Sequence, residues 1–143
     1  MAQDILEPNV FLNLIRAHER YWGEVARFLK GRNLTVQQYH VLQILGSQAA
    51  DEGLPMLTIA DALPNRVPDV TRLINRMERD GLVHRARSQE DRRVVQVSLT
   101  GKGRELVDVH DELTRFHTRQ LSHMERDELS QLNELLVRML EGA

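Results

Sequence analysis

Apolar positions recur at helical spacing over most of this chain and at alternating spacing in one short stretch. The stripe Phe11, Leu14, Ile15, His18, Trp22, Val25 and Leu29 follows the i, i+3, i+4, i+7 rule. It predicts a long amphipathic helix over about 8–30, ended by Gly31. Thr35 with Gln38 three residues on forms a capping box. The helix it opens carries Tyr39, Leu42 and Leu45 on one face and is expected to stop at Gly46. Residues 47–55 read as a polar loop. Met56, Leu57 and Thr58 suggest a short strand, with Thr58 (and Asp61 three residues later) capping a brief helix through Leu63.

Pro64 breaks the chain, and Pro68 suits the first turn of a new helix, where its missing N–H costs nothing. In that helix Val70, Leu73, Ile74 and Met77 form the buried stripe, and Arg72, Asn75, Arg76 and Arg79 form the opposite one. Asp80-Gly81 ends it. Segments 82–87 and 94–99 alternate like strands on either side of a polar tip at 88–93, which predicts a hairpin. Two further helices are expected over 101–122 and 125–141, with Leu106, Val109, Leu113, Phe116, Leu121, Leu129, Leu132, Leu135, Leu136 and Met139 as their apolar positions.

The predicted fold is therefore mostly α with a small β-hairpin wing. An arginine-faced helix followed by a basic hairpin is the layout of a winged helix-turn-helix, in which the helix enters the major groove and the hairpin tip lies along the backbone. The first and the last two helices hold more apolar surface than a small winged domain needs, and such helices commonly pair with a second copy. This divides the chain into an N-terminal dimerisation helix (1–34), a winged helix-turn-helix (35–100) and C-terminal dimerisation helices (101–143).

Composition narrows the chemistry. The 143 residues are 41% apolar but only 4% aromatic, so the core is aliphatic. The absence of cysteine excludes disulfides, thiolate zinc sites and thiol-based sensing. No apolar run approaches the ~20 residues that span a bilayer. Met1-Ala2-Gln3-Asp4 lacks the basic and apolar regions of a signal peptide, so a cytoplasmic protein is expected. No Walker, Gly-x-Ser-x-Gly or metal-triad motif is present, and Thr100-Gly101-Lys102-Gly103 reads as a helix cap rather than a phosphate loop, so neither an enzyme nor a cofactor is expected. His18, His40, His84, His110, His117 and His123 lack zinc-site spacing and read as core or interface residues.

The net charge of −2 conceals a division. Residues 66–104 hold ten Lys and Arg against five acids, whereas the rest of the chain holds nine against sixteen. One face is thus suited to a polyanion and the body is acidic. Arg72, Asn75 and Arg76 have the fixed donor geometry that base edges require: arginine on guanine O6 and N7, asparagine on adenine N6 and N7. Thr71 suits a phosphate oxygen or a thymine methyl. Arg79 lies farther along, where a backbone or structural role is expected, and Arg85 and Arg87 alternate on one strand face toward phosphates. The competing reading of these charges is a solvated helix face in which Arg72 or Arg76 pairs with Glu78 or Asp80.

These residues resemble the MarR family of bacterial transcription regulators. The likeness runs through Leu57-Thr58-Ile59-Ala60, Val70-Thr71-Arg72-Leu73-Ile74, Arg79-Asp80-Gly81-Leu82-Val83, Asp91-Arg92-Arg93 and Leu99-Thr100-x-x-Gly103, in register without gaps. One departure is the turn before the recognition helix. The family usually has Gly-apolar-Ser, with the serine as cap, and here Pro64-Asn65-Arg66 stands in its place. Arginine is a poor N-cap, so the cap falls to Asn65 or to a later start.

The resemblance implies that Asp91 braces the wing while Arg92 and Arg93 share bracing and DNA contact. It also implies a small aromatic or phenolic effector bound between the dimerising helices and the winged domain, with His18 and Trp22 as candidate lining. The function implied is a homodimeric, ligand-responsive repressor on a pseudo-palindromic double-stranded DNA operator. The alternative is a winged helix used only for protein–protein assembly, its arginines meeting an acidic partner.

Overall fold

A computed structural model describes residues 5–48 and 52–142. The elements are α1 (Leu6–Lys30), α2 (Val36–Gln48), β1 (Leu54–Pro55), α3 (Met56–Ala62), α4 (Val70–Arg79), β2 (Val83–Arg87), β3 (Val95–Leu99), α5 (Gly101–Val107), α6 (Val109–Gln120) and α7 (Arg126–Glu141). They form two compact units, Met1–His110 and Asp111–Ala143. The mostly helical architecture with a small hairpin sheet is the one the apolar pattern predicts.

Several boundaries differ from expectation, each with a physical cause. Helix α1 begins at Leu6, ahead of Pro8. Pro8 is tolerated there because the first turn's N–H groups have no intrahelical acceptor to lose. The chain leaves α1 through Asn33, whose φ of 59° takes the left-handed conformation, a role asparagine fills more readily than other non-glycine residues. The capping box of α2 is present as expected: Gln38 N–H donates to Thr35 Oγ1 at 3.1 Å, and Thr35 N–H donates to Gln38 Oε1 at 3.0 Å.

Helix α2 does not stop at Gly46 but continues to Gln48. Gly46 is there for its small size, since a Cβ would stand 3.0 Å from Val107 Cγ1 of α5. The expected strand at Met56–Thr58 is instead Leu54–Pro55, paired with Val97 and Gln96. Gly53, with φ of 81°, lays the chain so close to β3 that a Cβ would overlap the Val97 carbonyl oxygen. The strand is therefore drawn earlier, and Thr58 lies inside α3 rather than capping it.

Helix α4 starts late. Asp69 is its N-cap, with Oδ1 accepting the Arg72 N–H at 2.9 Å. Pro68 therefore precedes the cap instead of sitting in the first turn. Asn65 does not cap it either: among the described residues its Oδ1 is buried without a hydrogen-bond partner. The helix ends as Asp80-Gly81 predicts. Gly81 (φ 78°) donates to the Glu78 carbonyl at 3.0 Å and Leu82 to the Met77 carbonyl at 2.9 Å, the paired bonds of a Schellman stop.

The strands order as β1-β3-β2, all antiparallel, with Val83 opposite Leu99 and Arg87 opposite Val95. Thr100 caps α5, accepting the Gly103 N–H at 3.0 Å while its hydroxyl donates to the Gly81 carbonyl at 2.6 Å. Lys102 Nζ donates to the Asp80 carbonyl at 3.1 Å. The Thr-Gly-x-Gly motif thus joins the end of α4 to the start of α5. The single helix expected over 101–122 is broken at Asp108. There the chain is fixed by buried Val109 and by the His110 ring, whose Nδ1 lies 2.8 Å from Tyr39 Oη.

Within Met1–His110 the core is aliphatic: Leu29, Val41, Leu42, Leu45, Ile59, Ile74, Met77, Val83 and Val97 are fully buried. Each such side chain contributes roughly 1.5–3 kcal/mol of burial free energy. Ile74 and Met77 lock the inner face of α4 and so set the direction of its outer face. By contrast, α1 exposes Leu6, Val10, Phe11, Leu14 and Ile15. In the second unit α7 exposes Leu132, Leu135, Val137, Met139 and Leu140.

Candidate nucleic-acid interface

The outer face of α4 is built by its own periodicity. With Ile74 and Met77 buried, Arg72, Asn75, Arg76 and Arg79 fall together on the exposed side, within about a third of the helix circumference at 3.6 residues per turn. Thr71 is exposed at the near end, its Oγ1 3.5 Å from Met56 Sδ. The solvated-face reading expected Arg72 or Arg76 to pair with Glu78 or Asp80. They do not. Among the described residues Arg72, Asn75 and Arg76 make no side-chain hydrogen bond or ion pair, and Glu78 is turned to Arg85.

That Glu78–Arg85 contact was not legible in the sequence. Arg85 donates its backbone N–H to Glu78 Oε2 at 2.8 Å and its Nε to Oε1 at 3.4 Å. These bonds, with the backbone donor foremost, hold the Glu78 carboxyl below its ordinary range. The pair ties the C-terminal half of α4 to β2. Arg85, expected to meet phosphate, has its Nε committed to this tie.

The wing tip is organised by short side chains. Ser88 Oγ accepts the N–H groups of Glu90 and Asp91 at 3.3 and 3.4 Å, and Ser88 N–H reaches the Val94 carbonyl at 2.8 Å. Asp91 Oδ1 accepts the Arg93 N–H at 3.0 Å and Arg93 Nε at 3.2 Å, while Oδ2 accepts Nη2 at 3.3 Å. The Arg93 guanidinium is thus folded onto Asp91 in a two-pronged contact, and holds that carboxyl below its ordinary range. Arg87, also expected to meet phosphate, turns into the hairpin and donates Nη1 to the Arg92 carbonyl at 2.8 Å. Arg92 remains: its side chain is exposed and, among the described residues, has no partner.

The two candidate effector residues lie together in a larger ring cluster. His18 stacks on Trp22 at 5.4 Å and 29°. Trp22 meets the edge of His40 at 6.5 Å, and Tyr39 lies 5.7 Å from His40. His40 Nδ1 is buried with no partner among the described residues, and burial lowers the ring's proton affinity. Sequence reading named His18 and Trp22 but missed His40 and Tyr39, because only folding brings α2 against that stretch of α1. Among the described residues no group of three His, Asp or Glu is placed to hold a metal ion, and no helix is long and apolar enough to cross a membrane.

Comparison with known proteins places the chain among transcriptional regulators. The sequence profile of the transcriptional regulators SarA/Rot matches residues 26–109. The HTH-type transcriptional repressor IacR of Pseudomonas putida is 33% identical over 127 residues, covering 88% of this chain and 74% of that protein. Among solved structures, a MarR transcription factor from Planctomyces limnophilus is 40% identical with a TM-score of 0.72, covering 93% of this chain and 96% of the other. The MepR–DNA complex of S. aureus is 27% identical with a TM-score of 0.80, covering 94% and 97%.

Proposed function

Because the chain belongs to the MarR family of winged-helix transcriptional regulators, we propose that it is a sequence-specific repressor acting as a homodimer on a pseudo-palindromic operator. One observation carries the reading. Arg72, Asn75 and Arg76 stand exposed on one face of a helix whose other face is locked in the core, their side chains without a partner among the described residues. Side chains so placed are available for bidentate contacts to guanine and adenine edges in the major groove. Arg92, alone at the tip of a braced wing, is positioned for backbone contact, which adds affinity without sequence choice. The likeness to repressors and to a DNA complex favours this use over a protein–protein assembly module.

The exposed apolar faces of α1 and α7 are the material for pairing with a second copy, and two-fold pairing would place two reading helices about one DNA turn apart, roughly 34–36 Å. The ring cluster of His18, Trp22 and His40 suits a small aromatic or phenolic effector, with the unpartnered His40 Nδ1 offering one polar contact. Such a ligand lowers DNA affinity only if it binds the DNA-free arrangement more tightly. A hundredfold preference is worth about 2.7 kcal/mol.

The test is selection of bound duplexes from a genomic fragment pool, followed by titration of the winning sequence and a scrambled copy at 0.15 M salt. A preference for the selected sequence of at least about a thousandfold is expected. Equal binding of both would refute the reading.

A further inference from the structure

The departure at Pro64-Asn65-Arg66 is the motif that the reading helix does not absorb. Leu63, ahead of Pro64, is extended (φ −64°, ψ 137°), as residues before proline are constrained to be. Val67 precedes Pro68 and is restricted in the same way. A proline-framed segment of this kind has little freedom to lose on binding. Along it exposure alternates: Asn65 and Val67 turn inward, whereas Arg66 is exposed.

Arg66 lines one groove of about 360 Å³ together with Arg72, Arg76 and Asp69, against Thr35 and Gln37 of the α2 start. Three arginines stand there against a single acid, and Asp69 Oδ1 already accepts the Arg72 N–H as the helix cap. Among the described residues no side chain pairs with Arg66. Thr35 Oγ1 and Gln38 Oε1 each accept the other residue's backbone N–H. The groove is thus positively charged, open and continuous with the reading face through Arg72 and Arg76. An anion is the ligand that satisfies it, and the neighbouring anion in any complex that seats Arg72 and Arg76 on base edges is the DNA backbone.

We propose that Arg66 binds a DNA phosphodiester beside the recognition helix, a backbone anchor on the leading edge of α4 opposite the one the wing supplies. The proposal rests on the DNA-reading function above. It assigns a role to the turn that replaces a small capping residue with an arginine: capping moves three residues on to Asp69, and position 66 becomes free to reach the backbone.

The experiment compares the full-length protein with Arg66→Ala and Arg66→Lys on two 30-bp duplexes, the selected operator and a random sequence, from 0.05 to 0.3 M salt. One released counterion per reading head changes the log–log salt slope by about 0.9, hence about 1.8 per dimer, and affinity by about fivefold per head at 0.15 M. Arg66→Ala is expected to show that loss equally on both duplexes, and Arg66→Lys to restore most of the slope. A scan of single methylphosphonates then locates the contact. One position per half-site should weaken the parent protein but leave Arg66→Ala unaffected. Inorganic phosphate at 10 mM should leave the parent's DNA binding where matched ionic strength puts it.

An unchanged slope in Arg66→Ala, or a scan with no position insensitive in that variant, overturns the proposal. Competition by inorganic phosphate beyond ionic strength also overturns it, by making the groove a free-anion site. Failure of the parent protein to prefer the selected duplex strikes instead at the repressor reading, and leaves the phosphate scan on random DNA to decide the role of Arg66.

Discussion

The recognition helix and the wing carry arginines in similar number and use them in opposite ways. On α4, among the described residues, the side chains of Arg72 and Arg76 have no protein partner: Asp69 is spent as the helix cap and Glu78 is held by β2. In the wing, Arg85 holds Glu78, Arg87 holds the Arg92 carbonyl and Arg93 holds Asp91, so that Arg92 alone is free. Charge on the helix is left open, whereas charge in the wing is spent mostly on shape. A short hairpin has no core of its own, so its tip must be held by polar contacts. The helix is held from beneath by Ile74 and Met77 and can leave its outer face uncommitted.

The contrast is sharpened first by cutting the support under the helix. Ile74→Ala removes a fully buried side chain and is expected to cost roughly 2–5 kcal/mol in urea unfolding, with operator affinity falling at temperatures where the parent is still bound. Arg76→Ala leaves the fold intact and should cost about 1–3 kcal/mol on the selected duplex, with relaxed preference at one base position. If selected and scrambled duplexes lose equally, Arg76 belongs with the backbone contacts and the contrast with the wing fails.

Asp91→Asn weakens the hold on Arg93 and should reduce affinity for all duplexes alike, by less than Arg76→Ala costs on the selected one, because exposed pairs are weak. Equal loss in the double variant Asp91→Asn, Arg93→Ala and in either single one would show the pair acting as a unit. Arg92→Ala should lower the salt slope by about 0.9 per reading head and leave sequence preference unchanged.

The smallest effect is on acid stability. Glu78 and Asp91 both have folded-state proton affinities below their ordinary values. Their contribution is complete above the ordinary carboxylate range and is lost as pH falls through the depressed folded values. The parent protein should therefore lose stability below about pH 4.5 more steeply than Glu78→Gln, as read in melting temperature against pH. Parallel curves would mean that the tie between α4 and β2 contributes nothing measurable.

Most of this architecture was legible in local signals. The Thr35–Gln38 box, the Asp80-Gly81 stop and the alternating strands each depend on residues a few positions apart, so the sequence displays them. The late start of α4 is a local matter, the Asp69 cap on the Arg72 N–H, whereas the other main failures come from long-range contact. Gly46 looks like a stop, but its small size serves Val107 of a later helix. The strand at 54–55 is placed by the close approach of Gly53 to Val97 of β3, 44 positions later in the chain. At the interface, the exposed stripe of α4 follows from period alone. The commitment of Arg85 to Glu78 and of Arg87 to the Arg92 carbonyl requires the hairpin register, which fixes which side chains meet.

The central claim is that α4 reads sequence while the wing holds backbone. It is tested most directly by one ratio, the affinity for the selected duplex over that for a scrambled duplex at equal salt, measured in the parent, Arg76→Ala and Arg92→Ala. The account predicts that the ratio falls about tenfold or more in Arg76→Ala and stays at the parental value in Arg92→Ala although both affinities drop. A ratio that survives in Arg76→Ala, or collapses in Arg92→Ala, would contradict it.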